Sequence, residues 1–246
     1  MFDLVIVTAT FFKPEESAYD RDVALPLTME TLKLAERHGL WAIVVDGSPD
    51  PEVPRALTRA GAEVIRQETP GFGPAVRQAV AAGARTIKAE GSVHWQEPMK
   101  ADLVRFHTEL AEAAKEADAA ILVPRRGNAT WPTYPQEQVW QELFTNEYVR
   151  IVSGGALRFD FTFGPKVFRR DGIELVAECD GRIWDALVVP VVRAVRMGIV
   201  VMERAVSYHH PSAQCRAEEG KPEWIKKRRE QLIHVTTTLE EAWNAA

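Results

Sequence analysis

The sequence predicts an α/β domain of three layers, with helices on both faces of a mostly parallel central sheet. Short apolar runs alternate with longer amphipathic segments in the first half of the chain, and this β-α-β-α order is typical of parallel sheets. The 246 residues are 46% hydrophobic and 26% charged, a composition that supports one large core. No internal repeat or low-complexity linker divides the sequence, so we predict one domain over residues 1–246.

The spacing of the apolar residues predicts where the strands and helices lie in the first half of the sequence. The predicted strands are Leu4–Thr8, Trp41–Val45, Ala62–Ile65, Val93–Gln96 and Ala119–Val123. The predicted helices are Leu27–His38, Pro51–Ala60, Pro74–Glu90 and Met99–Ala117. Gly39 and Gly61 follow the first two helices, where glycine commonly ends a helix. In such a sheet, ligands bind beyond the carboxyl ends of the strands.

The second half has a different character. A polar loop over Arg125–Pro135 leads into a predicted helix, and a phenylalanine-rich run is later interrupted by Gly164 and Pro165. The first predicted helix covers Gln136–Val149, and the phenylalanine-rich run covers Leu157–Phe168. After the run, the sequence predicts a helix over Arg182–Met197 kinked by Pro190, a strand over Ile199–Tyr208 and a terminal helix over Lys221–Ala246.

Charge and cysteine content narrow the function classes. A formal net charge of −5 argues against a general nucleic-acid binder, which normally carries a basic face. The two cysteines, Cys179 and Cys215, form neither a disulfide framework nor a metal-type pair. No apolar run reaches the ~20 residues of a membrane span, and the first residues do not resemble a signal peptide. We therefore expect a cytoplasmic protein without a transmembrane segment.

Polar residues follow the first two predicted strands. Thr8, Ala9 and Thr10 end the first strand, and Asp46 follows the second, just before Gly47. Hydroxyl, backbone and carboxylate groups at this edge are suited to a nucleotide base or ribose. An ordinary strand exit and an Asp-Gly turn explain the same residues without a ligand.

A glycine-rich turn precedes the third predicted helix. Gly71 and Gly73 flank Phe72, Pro74 suits the first helical turn, and Arg77 lies one turn further on. Helix N-termini and glycine loops favour phosphate, so we expect this turn to face a diphosphate. It is not a P-loop, because no Gly-Lys-Ser/Thr follows. A helix cap with a solvated arginine is the alternative.

Further titratable residues lie near predicted strand or helix ends. Glu97 follows the fourth strand and is a candidate ligand for a divalent ion. Asp185 is a candidate base for a hydroxyl acceptor. Of the adjacent His209 and His210, one is a candidate ligand for metal or phosphate, because neighbouring side chains on an extended segment point to opposite sides. Dipole stabilisation by the acids and an ordinary surface histidine remain alternatives.

The order of these motifs resembles the GT-A glycosyltransferases of family two. The strand ending in Thr-Ala-Thr precedes Val-Asp-Gly-Ser-Pro-Asp, then Gly-Phe-Gly-Pro-Ala-Val-Arg-Gln-Ala, then an acidic strand end. The resemblance continues through Phe-Gly-Pro-Lys-Val-Phe-Arg-Arg at 163–170 and Trp184-Asp185 to Tyr-His-His at 208–210. It covers roughly residues 4 to 211 and implies a Rossmann-like nucleotide-diphospho-sugar transferase fold.

The resemblance implies a role for each candidate residue. The nucleotide pocket would comprise Thr8, Ala9, Thr10, Asp46, Gly71, Gly73 and Arg77. Glu97 lies where the family carries an Asp-x-Asp motif that holds Mg²⁺ or Mn²⁺, and His209 or His210 would contact metal or phosphate. Asp185 would be the general base. Because Trp-Gln-Glu replaces the Asp-x-Asp motif, metal dependence is an open point, and arginine or lysine is the alternative source of positive charge.

The implied activity is hexosyl transfer from a nucleoside-diphosphate sugar, with UDP or GDP as the nucleotide, to a hydroxyl acceptor. Residues 4–124 would form the nucleotide-binding half, 125–211 the acceptor half and 221–246 a C-terminal helix. Trp131, Phe163 and Gly164 lie in segments that offer aromatic or apolar surface to a sugar or acceptor, although these segments suit a core equally well. Two alternatives remain, a non-catalytic sugar or nucleotide binder and a sugar-phosphate nucleotidyltransferase.

Overall fold

A computed structural model of the chain describes residues 1–245. Its strands are β1 (Phe2–Thr10), β2 (Trp41–Asp46), β3 (Glu63–Arg66), β4 (Ile87–Trp95), β5 (Ile121–Arg126), β6 (Lys166–Phe168) and β7 (Val201–Val206). They form one 7-stranded sheet in the order β3-β2-β1-β4-β6-β5-β7. The short β6 runs antiparallel to β4 and β5, and the other pairs are parallel. The predicted mostly parallel sheet is confirmed.

Helices cover both faces of this sheet. They are α1 (Leu25–Arg37), α2 (Glu52–Arg59), α3 (Phe72–Thr86), α4 (His107–Glu116), α5 (Gln136–Val152), α6 (Arg170–Ala177), α7 (Asp185–Arg196), α8 (Ser212–Glu218) and α9 (Pro222–Asn244). Within the described residues, no helix combines the length and the apolarity needed to cross a bilayer. The last residue of the predicted terminal helix, Ala246, lies outside the described part of the chain.

The alternation of side chains along β1 shows how the layers form. Val5 and Val7 contribute to the buried cluster that includes α3, α6 and α7, whereas Ile6 belongs to the cluster with α1 and α2. This is the period of two expected for a strand buried on both faces. At Gly83 of α3, an added Cβ would lie 2.8 Å from Cγ1 of Val7. The helix therefore packs closely on the sheet because this position lacks a side chain.

Several predicted boundaries are wrong, and one strand and two α-helices were not predicted. Residues 87–90 belong to β4 rather than to the preceding helix, because Ile87 pairs with Phe2 at the start of β1. The helix predicted over 99–117 is a 3₁₀ turn at Ala101–Phe106 followed by α4. The unpredicted elements are β6, α6 and α8.

Candidate functional site

The strands that carry the predicted nucleotide residues end side by side. In the ladder between β1 and β2, Thr10 is the partner of Asp46, and β4 lies on the other side of β1 with Trp95 beside Val7. All three strands are parallel, so their carboxyl ends share one edge of the sheet. Thr8, Thr10 and Asp46 are almost fully buried there, whereas Ala9 packs into the core.

Asp46 is the centre of a buried hydrogen-bond cluster. Its Oδ1 accepts hydrogen bonds from Thr10 Oγ1 at 2.8 Å and from Ser48 Oγ at 2.6 Å. Ser48 Oγ in turn accepts the amide of Phe12 at 2.8 Å, which fixes the turn after β1. The second oxygen, Oδ2, is buried with no hydrogen-bond partner among residues 1–245, and the same holds for Thr8 Oγ1. One carboxylate oxygen and one hydroxyl at this edge are therefore buried without a partner.

The glycine turn holds a neighbouring loop. Gly71 immediately precedes α3 and has φ +115°, and the amide of Gly73 donates to the carbonyl of Arg182 at 2.8 Å. Nη1 of Arg77 donates to the carbonyls of Cys179 and Gly181 at 2.8 and 2.6 Å. The structure therefore joins Gly73 and Arg77 to the loop before α7. Gly71 is linked to Asp46 through Gln67, which donates from Nε2 to Gly71 O at 2.8 Å and from its amide to Asp46 O at 2.9 Å. The phosphate-binding role of Gly71, Gly73 and Arg77 stays a prediction.

Asp185, the first residue of α7, binds the backbone of the loop that precedes the helix. Its carboxylate accepts the amides of Arg182 and Ile183 at 3.1 and 2.7 Å, and His234 Nε2 of α9 lies 3.4 Å away. Burial would raise the pKa of Asp185, but the two backbone amides together with His234 outweigh it and lower the pKa overall. A lowered pKa makes this carboxylate a weaker base. The carboxylate holds the loop before α7 in place, and the predicted base role gains no support from this geometry.

Glu97 and its neighbours follow β4 and border a cavity of about 300 Å³. Glu97 Oε1 lies 3.7 Å from Nζ of Lys100, and Oε2 has no hydrogen-bond partner in the described chain. The carboxylate passes directly over Gly164, where an added Cβ would collide with it. Phe163, which was also predicted to contact a sugar or acceptor, lines the same cavity and is 1% exposed.

Helix α5 lines the cavity with its polar face. Gln138, Gln141, Glu142 and Thr145 are its buried polar residues, whereas Trp140 is 66% exposed. This is the reverse of an ordinary surface helix. Oε1 of Gln141 lacks a hydrogen-bond partner within residues 1–245. The cavity wall therefore presents hydrogen-bonding groups next to aromatic surface.

A buried ion-pair cluster supports this wall. Arg126, at the end of β5, forms ion pairs with Asp160, at 2.7 Å, and with Glu142. Burial would raise the pKa of Asp160, but the adjacent Arg126 outweighs it and lowers the pKa. The guanidinium also lies 4.1 Å from the ring centroid of Trp131. The predicted sugar-binding Trp131 thus covers Arg126.

The two adjacent histidines point in different directions, as predicted. His209 is exposed, and its amide donates to Asp102 at 2.8 Å. His210 lines the cavity, with its ring centroid 4.2 Å from that of Tyr134. Burial, followed by the nearby cations Lys100, Arg228 and Arg126, lowers the pKa of His210 to about 2. His210 is therefore a neutral imidazole at physiological pH, and its role as a ligand stays a prediction.

The residues after β4 do not fit the metal that the resemblance implies. Within the described residues, no three side chains of the His, Cys, Asp and Glu types come together as a metal-binding group. Gln96, at the central position of the replaced motif, is saturated internally: its Nε2 donates to Lys100 O at 3.0 Å and its Oε1 binds His107. Glu97 is the one carboxylate left of the replaced motif, and the ammonium of Lys100 lies beside it.

Sequence reasoning missed the groups that dominate the cavity. Lys100 and Arg126 were not singled out, although each follows a predicted strand within a few residues. The polar residues 138, 141, 142 and 145 recur at helical spacing, which is a signal for a polar face. Because apolar side chains stand at 140, 143 and 144, the sequence predicts that the apolar face is buried and that the polar face is exposed to solvent. The packing of α9 against α5 reverses this expectation.

Solved structures resemble this fold, although no known family profile and no curated protein matches the sequence. Glucosyl-3-phosphoglycerate synthase from Mycobacterium tuberculosis, in complex with phosphoglyceric acid, has a TM-score of 0.65 at 11% identity, covering 97% of this chain and 80% of that chain. Mannosyl-3-phosphoglycerate synthase from Rubrobacter xylanophilus has a TM-score of 0.61 at 13% identity, covering 96% and 73%. CMP:2-keto-3-deoxy-manno-octonic acid synthetase, complexed with CTP, has a TM-score of 0.54 at 13% identity, covering 94% and 99%.

These likenesses establish the fold of the chain as that of the GT-A glycosyltransferases, as predicted. Structures of the mycobacterial synthase contain Mn²⁺ with UDP or with UDP-glucose. At 11 to 14% identity, the comparison concerns the fold and not the activity.

Proposed function

We propose that this chain is a glycosyltransferase that moves a sugar from UDP-sugar or GDP-sugar to a hydroxyl acceptor. The observation that carries the proposal is the edge where β1, β2 and β4 end together. It combines the half-satisfied Asp46 cluster with the cavity beside Glu97. This is the position at which parallel α/β sheets bind ligands.

In this proposal Asp46 and Thr8 recognise the nucleoside. The free Oδ2 of Asp46 accepts a hydrogen bond from a base N–H or a ribose hydroxyl, while Thr10 and Ser48 hold the carboxylate in place through Oδ1. A buried acceptor that is already oriented binds its donor without reorganisation. Arg77 acts indirectly, because it fixes the loop 179–182 that lies against the start of α3.

The acceptor would bind in the cavity. Glu97 borders this space, whereas Asp185 lines a different depression next to α9. We therefore assign the uptake of the acceptor proton to Glu97 rather than to Asp185. Gln141 and His210 provide neutral polar groups for other hydroxyls of the acceptor.

The first test is nucleotide binding, measured as a shift in melting temperature with UDP, GDP and their hexoses. At about 100 times the Kd, a ligand adds ~2.7 kcal/mol, or roughly 5–10 °C for a chain of this size. Asp46→Asn should abolish the shift. The matched control is Asp3→Asn, which removes the same charge at the exposed opposite end of β1.

A failure of every nucleotide to raise the melting temperature would contradict the proposal, as would unchanged binding by Asp46→Asn. Catalysis is then tested with the nucleotide-sugar that binds, by following release of the nucleoside diphosphate with candidate acceptors, phosphoglyceric acid among them. Binding without turnover would indicate a non-catalytic binder. Pyrophosphate release from a nucleoside triphosphate and a sugar phosphate would instead indicate a nucleotidyltransferase.

A further inference from the structure

The exit of β4 carries a lysine beside the carboxylate that remains there. The segment runs from Trp95 through Gln96 and Glu97 to Lys100, whose Nζ lies 3.7 Å from Oε1 of Glu97. The pair therefore has a net charge near zero. A divalent cation is normally bound where several carboxylates concentrate negative charge, and here an ammonium would repel it.

Lys100 is buried and only partly satisfied. It is 7% exposed, and its ammonium lies 5.1 to 5.6 Å from the ring centroids of Phe163, Tyr208 and Tyr134. Its hydrogen bond is a long one, to Tyr134 Oη at 3.4 Å. An ammonium has three donors, so Lys100 retains capacity for an anionic ligand. Burial would lower its pKa, but the attraction of Glu97 and Tyr134 outweighs it and raises the pKa.

The other cations that line the cavity are held elsewhere. Lys227 of α9 lies over the ring of Trp224, 4.2 Å from its centroid, and the two arginines form ion pairs. Arg126 is neutralised by Asp160 and Glu142, and Arg228 is paired with Glu218 at 2.8 Å. Lys100 has no comparably short ion pair within residues 1–245. It is therefore the cation next to β4 that is best able to receive a phosphate oxygen.

We propose that Lys100 supplies the positive charge for the donor diphosphate, so that this chain binds its nucleotide-sugar without a divalent cation. The inference rests on the proposed function, and it places the donor diphosphate at the end of the cavity next to β4, beside the acceptor. As the sugar leaves, negative charge grows on the diphosphate, and an ammonium held in a poorly solvated site stabilises it without reorganising. The chain would thus use a fixed side chain where the mycobacterial synthase structures contain Mn²⁺.

The test is calorimetric binding of UDP, GDP and their hexoses in EDTA and again in Mn²⁺. We expect affinities in the two buffers within about twofold of each other. Lys100→Met should weaken binding about tenfold or more, because it removes a charge-assisted contact. Lys100→Arg should retain most of the affinity. The control is Lys226→Met, an exposed residue of α9 that does not line the cavity.

Glu97→Gln separates the two possible sources of charge. If Lys100 binds the diphosphate, this variant should bind nucleotide in EDTA at least as tightly as the parent, because a negative charge has been removed. If a metal does so, the variant should lose Mn²⁺-dependent affinity. Circular dichroism and melting curves show whether each variant is folded. If Lys100→Met does not fold, Lys100→Arg tests the role of the charge.

The outcomes distinguish this inference from the proposed function. Binding that requires Mn²⁺, or that survives unchanged in folded Lys100→Met, overturns the inference and leaves the glycosyltransferase proposal standing. An absence of nucleotide binding in both buffers overturns both. Metal-independent binding that is lost in Lys100→Met supports both.

Discussion

The buried pair His94 and His107 should make this protein sensitive to mild acid. Both rings lie under the start of α4, and each is at most 1% exposed. Gln96 donates from its Nε2 to Lys100 O, so its Oε1 accepts from His107 Nε2 at 2.6 Å. Nδ1 of His107 must then accept from His94 Nδ1 at 2.9 Å, and His94 Nε2 accepts from Ser92 Oγ at 2.8 Å. Each proton in this series of hydrogen bonds, from Ser92 through His94 and His107 to Gln96, has one position, and both rings are neutral.

A proton added to Nδ1 of His107 would face the N–H of His94. A proton added to Nε2 of His94 would face the O–H of Ser92. Burial lowers the pKa of His107 to about 3. Burial, and then the proximity of His107, lower the pKa of His94 well below its usual value. In the unfolded chain both histidines titrate near about 6.5. Below that pH the unfolded state binds more protons than the native state, so stability falls as pH falls.

The magnitude follows from these values. One histidine with a native pKa of about 3 should lose roughly 2 kcal/mol of stabilisation between pH 7 and pH 5, and the slope approaches about 1.4 kcal/mol per pH unit. Urea unfolding, followed by tryptophan fluorescence at several pH values in this range, measures the slope directly. His107→Gln should reduce it by about one proton, even if the variant is less stable at pH 7.

The control for this experiment is His38→Gln, which removes an exposed histidine at the end of α1 and should leave the slope unchanged. If the free energy of unfolding of His107→Gln varied with pH as steeply as that of the parent protein, this would refute the neutral, oriented histidine pair. So would a slope that decreases equally in both variants.

Three further outcomes test other parts of the site. Asp185→Asn should lower the free energy of unfolding by about 1 kcal/mol, because the amides of Arg182 and Ile183 lose a charged acceptor, and leave nucleotide affinity unchanged in calorimetry. Asp160→Asn should lower the free energy of unfolding by about 3 kcal/mol in urea titrations, because it leaves buried Arg126 partly unpaired. Gly164→Ala should weaken acceptor binding, measured as a higher KM, because its Cβ would displace the carboxylate of Glu97.

The nucleotide-binding half was largely predictable because local signals and tertiary structure agree there. β1 and β2 are buried on both faces, so their apolar runs are continuous. Glycines at 39 and 61 adopt φ values of +67° and +97° at the predicted helix ends. The position of Asp46 at the sheet edge follows from the strand that precedes it.

The cavity half was not predictable in the same way, because its geometry depends on distant segments. β6 has three residues, Lys166–Phe168, and exists through antiparallel pairing with β4 and β5. Arg126 meets Asp160, which lies in a loop without a regular period, and Glu142 of α5, which is brought to it by the preceding loop. The roles suggested for Arg77 and Asp185 depended on loop directions, and the segment 179–185 turns these side chains toward its own backbone.

The distribution of buried charge along β5 argues that the cavity is maintained for a ligand rather than for stability. The first half of β5, from Ile121 to Val123, is fully buried and apolar. Three residues later Arg126 is buried with two carboxylates. Well-packed apolar side chains often match or exceed buried ion pairs in stability, so the fold does not require charge at this end of the strand. An arginine held there by acids gives the cavity a rigid polar wall, and rigid walls favour binding because few groups must be ordered when the ligand arrives.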